Sequence, residues 1–242
     1  MKKYLLTIGL FMAIIPFSYL YGQKNLISTN LSFNTSEKDN DPYYGSGTEK
    51  VKVILPSLRY GRTITDYLLV GAGLSYKLDN RIFESRFYPY YSASGYYASP
   101  NYSEGELTET TISPHVFVEG FYNISNKLML SMNLQFHYAF LKSHTRNSYT
   151  AILYNDPSLP GSYIINENEF ETNKEQFKMN LQPVIRYLIF DKLGAELMLG
   201  GLAYSKILSH DNPNAPVNAM KDKELDFDLN PKNWQFGIFY TF

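Results

Sequence analysis

The sequence predicts an all-β fold: a transmembrane, antiparallel, up-and-down β-barrel of about eight strands. Three observations lead there. Apolar and polar residues alternate with a period of two over long stretches, the connections between those stretches alternate short and long, and the chain begins like an exported protein and ends on an aromatic strand.

Met1-Lys2-Lys3 is a short basic region, followed by an apolar run from Tyr4 to Phe17 and then Ser18 to Gln23. That order is the pattern of a secretory signal peptide, with cleavage expected after Gly22. Residues 1–22 are therefore expected to leave, and residues 23–242 to form the barrel. Pro16 and the abrupt change to Gln23-Lys24-Asn25 argue against a retained membrane helix. Elsewhere no run approaches the roughly 18–20 apolar residues that a spanning helix needs.

Composition agrees. Hydrophobic residues make up 44% of the 242, aromatic residues 16%, with 22 Tyr, 16 Phe and one Trp. A mean hydropathy of −0.28 is too polar for a helical membrane bundle, while tyrosine suits strands and the aromatic girdles of a barrel. The net charge is −1, and losing Lys2 and Lys3 leaves 20 basic against 23 acidic residues, or −3. Nothing here suits a nucleic-acid partner. There is no Cys, which removes disulfides, thiol catalysis and a lipidated cysteine anchor.

The clearest strand is 128–140. Leu128, Leu130, Met132, Leu134, Phe136, Tyr138 and Phe140 fall on one face, and Ser131, Asn133, Gln135 and His137 on the other. A helix would mix these sets. Similar alternation runs over 25–34, 67–76, 177–189 and 234–242, and more weakly over 50–60, 110–122 and 193–206. The pair Gly200-Gly201 is expected to shift the phase through a bulge. Strands of roughly ten to fifteen residues exceed those of soluble sheets and match the ~9–11 tilted residues that cross a bilayer. Short turns are expected at 62–66, 125–127 and 190–192, and long loops near 36–49, 79–109, 142–173 and 207–226. Tight turns on the periplasmic side and four long extracellular loops would follow.

A repeated unit supports the ring. Pro56-Ser57-Leu58-Arg59-Tyr60 followed by Thr65-Asp66-Tyr67-Leu68 matches Pro183-Val184-Ile185-Arg186-Tyr187 followed by Phe190-Asp191-Lys192-Leu193. Pro114 and Pro231 occupy similar places in two further units.

Inward positions should then include Arg59, His115, Glu119, Gln135, His137, Gln182, Arg186 and Glu196. In a narrow eight-stranded lumen, Arg59 and Arg186 are expected to pair with Glu119 and Glu196, because buried charges persist only when paired. This cluster, with Gln135 and His137, reads as a plug; a gated ion path is the sharper alternative. The stretch 88–102 is rich in Tyr, Ser and Gly, and Tyr90, Tyr91, Tyr96, Tyr97 and Tyr102 are candidate surface-binding residues, a composition that serves binding loops as well as strand extension. His115, His137, His144 and His210 show no metal-ligand spacing. Neither a metal nor another cofactor is expected.

Taken together, the signal peptide, the eight strands, the long loops and the terminal Gln235-Phe236-Gly237-Ile238-Phe239-Tyr240-Thr241-Phe242 resemble the small outer-membrane barrels of the OmpA/OmpX type. The resemblance implies a bacterial outer-membrane location and a non-enzymatic structural, binding or adhesion role. It also implies contact with outer-membrane lipid, with periplasmic chaperones and with the barrel-assembly machinery, which would read Trp234, Phe236, Ile238, Tyr240 and Phe242 as an assembly signal. An extracellular ligand is a further partner of that kind. A lipid-modifying enzyme, a narrow channel and an accessory barrel of a secretion system are the alternatives. Phe136-His137-Tyr138-Ala139 is similar to the His-Tyr-Ser run of lipid A deacylases, but Ala139 stands where that family carries its nucleophile.

Overall fold

A computed structural model describes residues 25–40, 46–87, 97–98, 101–154, 162–211 and 223–242. The signal-peptide expectation for residues 1–22 lies outside these. Strand β1 is Asn25–Asn40, β2 Ser46–Thr65, β3 Leu68–Phe87, β4 Asn101–Asn123, β5 Leu128–Tyr154 and β6 Ser162–Leu188. Strand β7 comes in two segments, Leu193–Met198 and Gly201–His210, and so does β8, Lys223–Asp228 and Gln235–Thr241. Each strand pairs antiparallel with the next, and β8 returns to β1, so eight strands close a ring. Asn25 N–H donates to the Phe242 carbonyl at 2.8 Å, and Phe242 N–H to the Asn25 carbonyl at 3.0 Å, which joins the two ends at the short-turn end.

Burial is inverted relative to a soluble protein. The buried positions among the described residues include sixteen polar or charged side chains and only eight hydrophobic ones. Leu58, Leu74, Ile112, Val116, Met132, Phe140 and Ile238, by contrast, are 47–59% exposed. Only a hydrocarbon solvent makes that arrangement favourable, and hydrocarbon admits a sheet only when the sheet is closed. The fold is a transmembrane up-and-down barrel. On β5 the apolar face runs from Leu128 to Phe140; at the usual tilt these residues rise roughly 30 Å, enough for a hydrocarbon core.

Strand length differs from expectation. β5 and β6 have 27 residues each rather than ten to fifteen. Pairing continues through most of the stretches expected to be loops, leaving 41–45, 88–96, 99–100, 155–161 and 212–222 outside the described residues. The reason is physical. Period-two apolarity marks where a strand faces lipid, but hydrogen bonding continues into water, where the outward face need not be apolar and the signal fades. The long connections are extended hairpins. The first short turn is likewise tighter than expected: Arg62–Thr65 still belong to β2, and the chain turns at Asp66–Tyr67. At the hairpin end, Asp211 accepts from the Asn173 backbone N–H and side-chain amide at 2.6 Å each, and these bonds hold its carboxyl below the usual range.

The recurring prolines lie at gaps in the ladders. Between β2 and β3 pairing skips from Ile54–Leu78 to Ser57–Ser75 around Pro56, and between β4 and β5 from Ile112–Phe140 to His115–His137 around Pro114. At Pro183 the β6–β7 ladder changes register by one residue, through the bulge at Leu199–Gly200. Pro231 opens a 3-10 turn, Pro231–Asn233. A residue without N–H belongs at such gaps. The turn corrects one expectation: Trp234 does not continue the final strand, which starts at Gln235. Its indole N–H donates to the Leu229 carbonyl at 3.2 Å instead.

Candidate functional site

The inward faces of β2, β4, β6 and β7 bring four charges together in the lumen. Arg59 Nη2 donates to Glu196 Oε1 at 2.7 Å, and Arg186 Nε to Glu196 Oε2 at 2.8 Å. Arg186 also grips Glu119 with both terminal nitrogens, Nη2 to Oε2 at 2.9 Å and Nη1 to Oε1. Arg59 Nη1 lies 3.9 Å from Glu119 Oε2, and Asn133 Nδ2 donates to that oxygen at 3.3 Å. All four charged side chains are at most 2% exposed. Two fork-shaped guanidinium groups and two carboxylates give a neutral set with bidentate geometry, the form in which buried charge is tolerated. Each guanidinium also lies over an aromatic ring, Arg59 5.4 Å from the Phe117 centroid and Arg186 5.7 Å from that of Phe239. Phe117 and Phe239 belong to the one apolar cluster in the described lumen, with Leu26 and Leu69.

Further towards the hairpins lies a histidine pair. His115 and His137 are register partners on β4 and β5, with ring centroids 4.6 Å apart. His137 Nε2 meets Gln135 Oε1 at 2.9 Å, and Nδ1 meets Ser113 Oγ at 3.1 Å. With the proton on Nε2, Nδ1 accepts from the Ser113 hydroxyl. Reading along β5 alone, as the sequence does, puts only Ala139 beside His137 and misses Ser113. Cross-strand placement of a neighbour cannot be read from spacing within one strand. The third position holds Gln135, an amide, where an acyl-transfer triad places a carboxylate. A cavity of about 110 Å³ adjoins this group, lined by Ser113, His137, Lys178 and Asn180 among others. Lys178 and Asn180 also line a larger vestibule of about 500 Å³ towards the hairpins. Among the described residues there is no group of three or more potential metal ligands.

The other candidates are dispersed. Tyr90, Tyr91 and Tyr96 lie outside the described residues. Tyr97 pairs with Tyr154, and Tyr102 with Arg86 and Thr150, in extended hairpins. Phe236, Ile238, Tyr240 and Phe242 share the outward face of β8 with exposures of 41–63%. His144 stands far from His137, on an outer-face charge ladder in which Lys142, His144 and Arg146 of β5 oppose Glu171, Glu169 and Glu167 of β6.

No protein-family model matches the chain, and no curated protein matches it. Solved structures with a similar fold include Neisserial surface protein A, at 9% identity and a TM-score of 0.35 over 90% of this chain and 97% of that one. Another is Ail, the attachment invasion locus protein of Yersinia pestis, at 8% identity and a TM-score of 0.29 over 92% of this chain and 100% of that one. The translocator domain of the autotransporter NalP from Neisseria meningitidis is similar at 8% identity and a TM-score of 0.21, over 99% of this chain and 96% of that one.

Proposed function

We propose that this protein is a non-enzymatic barrel of the bacterial outer membrane whose lumen is closed by the Arg59–Glu119–Arg186–Glu196 cluster and whose work is done by its outer hairpins. The cluster carries the reading. Its members come from four strands around the ring and pair with one another, so a solute crossing the lumen would have to displace charge pairs from one another at a cost of several kcal/mol. Electrical recording across a planar bilayer tests it: folded protein is expected to give no unit conductance steps, and regular steps would overturn the closed lumen.

The hairpins supply the surface. From Leu141 to Tyr154, 14 residues of β5 continue past Phe140, where the unbroken apolar face ends; that is roughly 45 Å along the strand. Their charge ladder stiffens a surface built for contact rather than for lipid. Replacing residues 145–170 by a short turn should leave a folded barrel, seen as heat-modifiable migration on a gel, and abolish adhesion of cells displaying it. Adhesion equal to that of the intact protein would remove the hairpin role.

Assembly is read from the last strand. Deleting Phe242 removes the paired hydrogen bonds to Asn25 and the terminal aromatic, and is expected to lower the outer-membrane yield severalfold at unchanged synthesis; normal yield would show that the machinery does not read this residue.

A second reading, a lipid-modifying hydrolase, is favoured by one observation, the Ser113–His137 contact. Ser113→Ala should then change the acylation of the host's lipids by mass spectrometry, whereas an unchanged profile leaves the non-enzymatic reading standing.

A further inference from the structure

The β1–β8 ladder closes the ring, and it covers only part of the wall. Pairing runs from Leu26–Thr241 to Leu31–Phe236. Beyond that point Lys223–Asp228 of β8 pairs with β7 alone, and Ser32–Asn40 of β1 pairs with β2 alone, among the described residues. The 3-10 turn causes the parting: six residues, 229–234, stand opposite two, 199–200. The parted edges lie at membrane depth. Phe227 is in register with Leu202, and Leu202 with Leu181, within the apolar belt of β6. Phe227 and Phe33, near the two edges, are 67% and 58% exposed.

An unpaired strand edge facing hydrocarbon is costly and is tolerated where it lines a water-filled cavity. The vestibule of about 500 Å³ is behind this seam, between Ser32 and Asn34 on β1, Lys178 and Asn180 on β6, and Asp226 and Lys232 on the β8 side. On the lipid side, at the foot of the seam, is an apolar groove of about 720 Å³ lined by Leu31, Pro56, Tyr76, Phe236 and Ile238, with Thr29 on its floor. Asn30, beside the groove on β1, turns its side chain to the inner face with Ser28, is 3% exposed, and has a hydrogen-bond partner for neither Oδ1 nor Nδ2. Gly237, its register partner, makes room for that amide: a Cβ there would strike Asn30 Oδ1 and the Thr29 carbonyl. A buried, unsatisfied amide is unfavourable unless something binds it.

We propose that the seam is a lateral binding site for a single-tailed zwitterionic lipid from the facing leaflet. The tail lies in the outer groove and the head passes between the parted edges into the vestibule. The Asn30 amide, on the inner face two residues below Ser32, hydrogen-bonds the head from beneath. The vestibule suits a head carrying both charges: Lys178 and Lys232 oppose Glu224, Asp226 and Asp228. Lys178 has no ion-pair partner among the described residues, which leaves it for the anionic half of the head. Below, the Arg–Glu cluster ends the path, so the site binds from the side and does not conduct. This holds whether or not the outer hairpins bind a partner.

Trp234, the only tryptophan, is the probe, since its neighbours Asn233 and Gln235 line the vestibule. The full barrel is placed in phosphatidylcholine vesicles and titrated with lysophosphatidylcholine carrying a brominated acyl chain, which quenches indole on contact. A saturable component is expected above the linear collisional quenching. Thr29→Phe fills the groove floor from the lipid side and should weaken that component about tenfold, while heat-modifiable migration verifies folding. Lys178→Met should weaken it as well, and the same bromine on a two-tailed phosphatidylcholine should give only the linear part. Linear quenching by the lysolipid in the wild-type barrel overturns the proposal, as does a saturable component that Thr29→Phe leaves unchanged. Conductance steps would overturn the closed lumen without touching these outcomes.

Discussion

Glu119→Gln is expected to destabilise the folded barrel by about 3–5 kcal/mol, the usual cost of stranding one partner of a buried ion pair. The substitution keeps the shape of the side chain and removes one charge. Arg186 then faces only Glu196, Arg59 loses its second carboxylate, and the cluster carries a net positive charge in a lumen where these groups are at most 2% exposed. Water cannot easily compensate, because the Phe117 and Phe239 rings pack against the guanidinium groups. Urea unfolding in lipid vesicles measures the effect as a fall in midpoint at constant slope. Removing all four charges, as Arg59→Met, Glu119→Gln, Arg186→Met and Glu196→Gln together, should cost less than Glu119→Gln alone. A midpoint for Glu119→Gln within about 0.5 kcal/mol of wild type, the ordinary range for surface changes, would mean that the cluster does not hold the lumen together.

Gly71→Val should prevent folding or cost about 3 kcal/mol or more, at the upper end of overpacking effects. Gly71 of β3 faces Gly61 of β2 across the ladder, and the Phe117 ring lies over both. A Cβ at position 71 would meet the Tyr60 carbonyl, Phe117 Cζ at 2.6 Å and Gly61 Cα at 2.7 Å. Two of these are backbone atoms and cannot rotate away. Phe117 is 2% exposed and carries Arg59 on its face, so displacing it disturbs the charge cluster as well. Gly120→Ala is the control, since a Cβ there meets nothing within 4 Å; it should be neutral or stabilise by up to about 1 kcal/mol through the unfolded chain. Equal behaviour of the two variants would show that the glycine pair is not what lets Phe117 reach the lumen floor.

Much of the architecture was legible because lipid imposes a simple rule. Leu128 to Phe140 had to place one face in hydrocarbon, so alternation marked that strand and most of the others. The same rule explains what was missed. Residues 141–148 and 167–176 are paired strands whose outward face carries Lys142, His144, Arg146, Glu167, Glu169 and Glu171 in place of apolar residues, and they carry no apolar alternation to find. The break in β8 was signalled by Pro231 but not its size, because the length of the 229–234 insertion is defined only against Leu199–Gly200 of another strand. For the charge cluster, inward parity and the rule that buried charges pair were enough to name Arg59, Glu119, Arg186 and Glu196 as partners. Which nitrogen meets which oxygen was beyond such reasoning.

By itself the sequence determined the period, the ring and the side on which the residues of the apolar belt stand, Trp234 excepted, since alternation is a local property set by solvent contact. The tertiary structure alone decided what crosses from strand to strand. It set Ser113 against His137, laid Phe117 over Gly61 and Gly71, and parted β1 from β8 above Leu31. Those outcomes depend on register and tilt, which sum over all eight strands of the closed ring and leave no trace in any one of them.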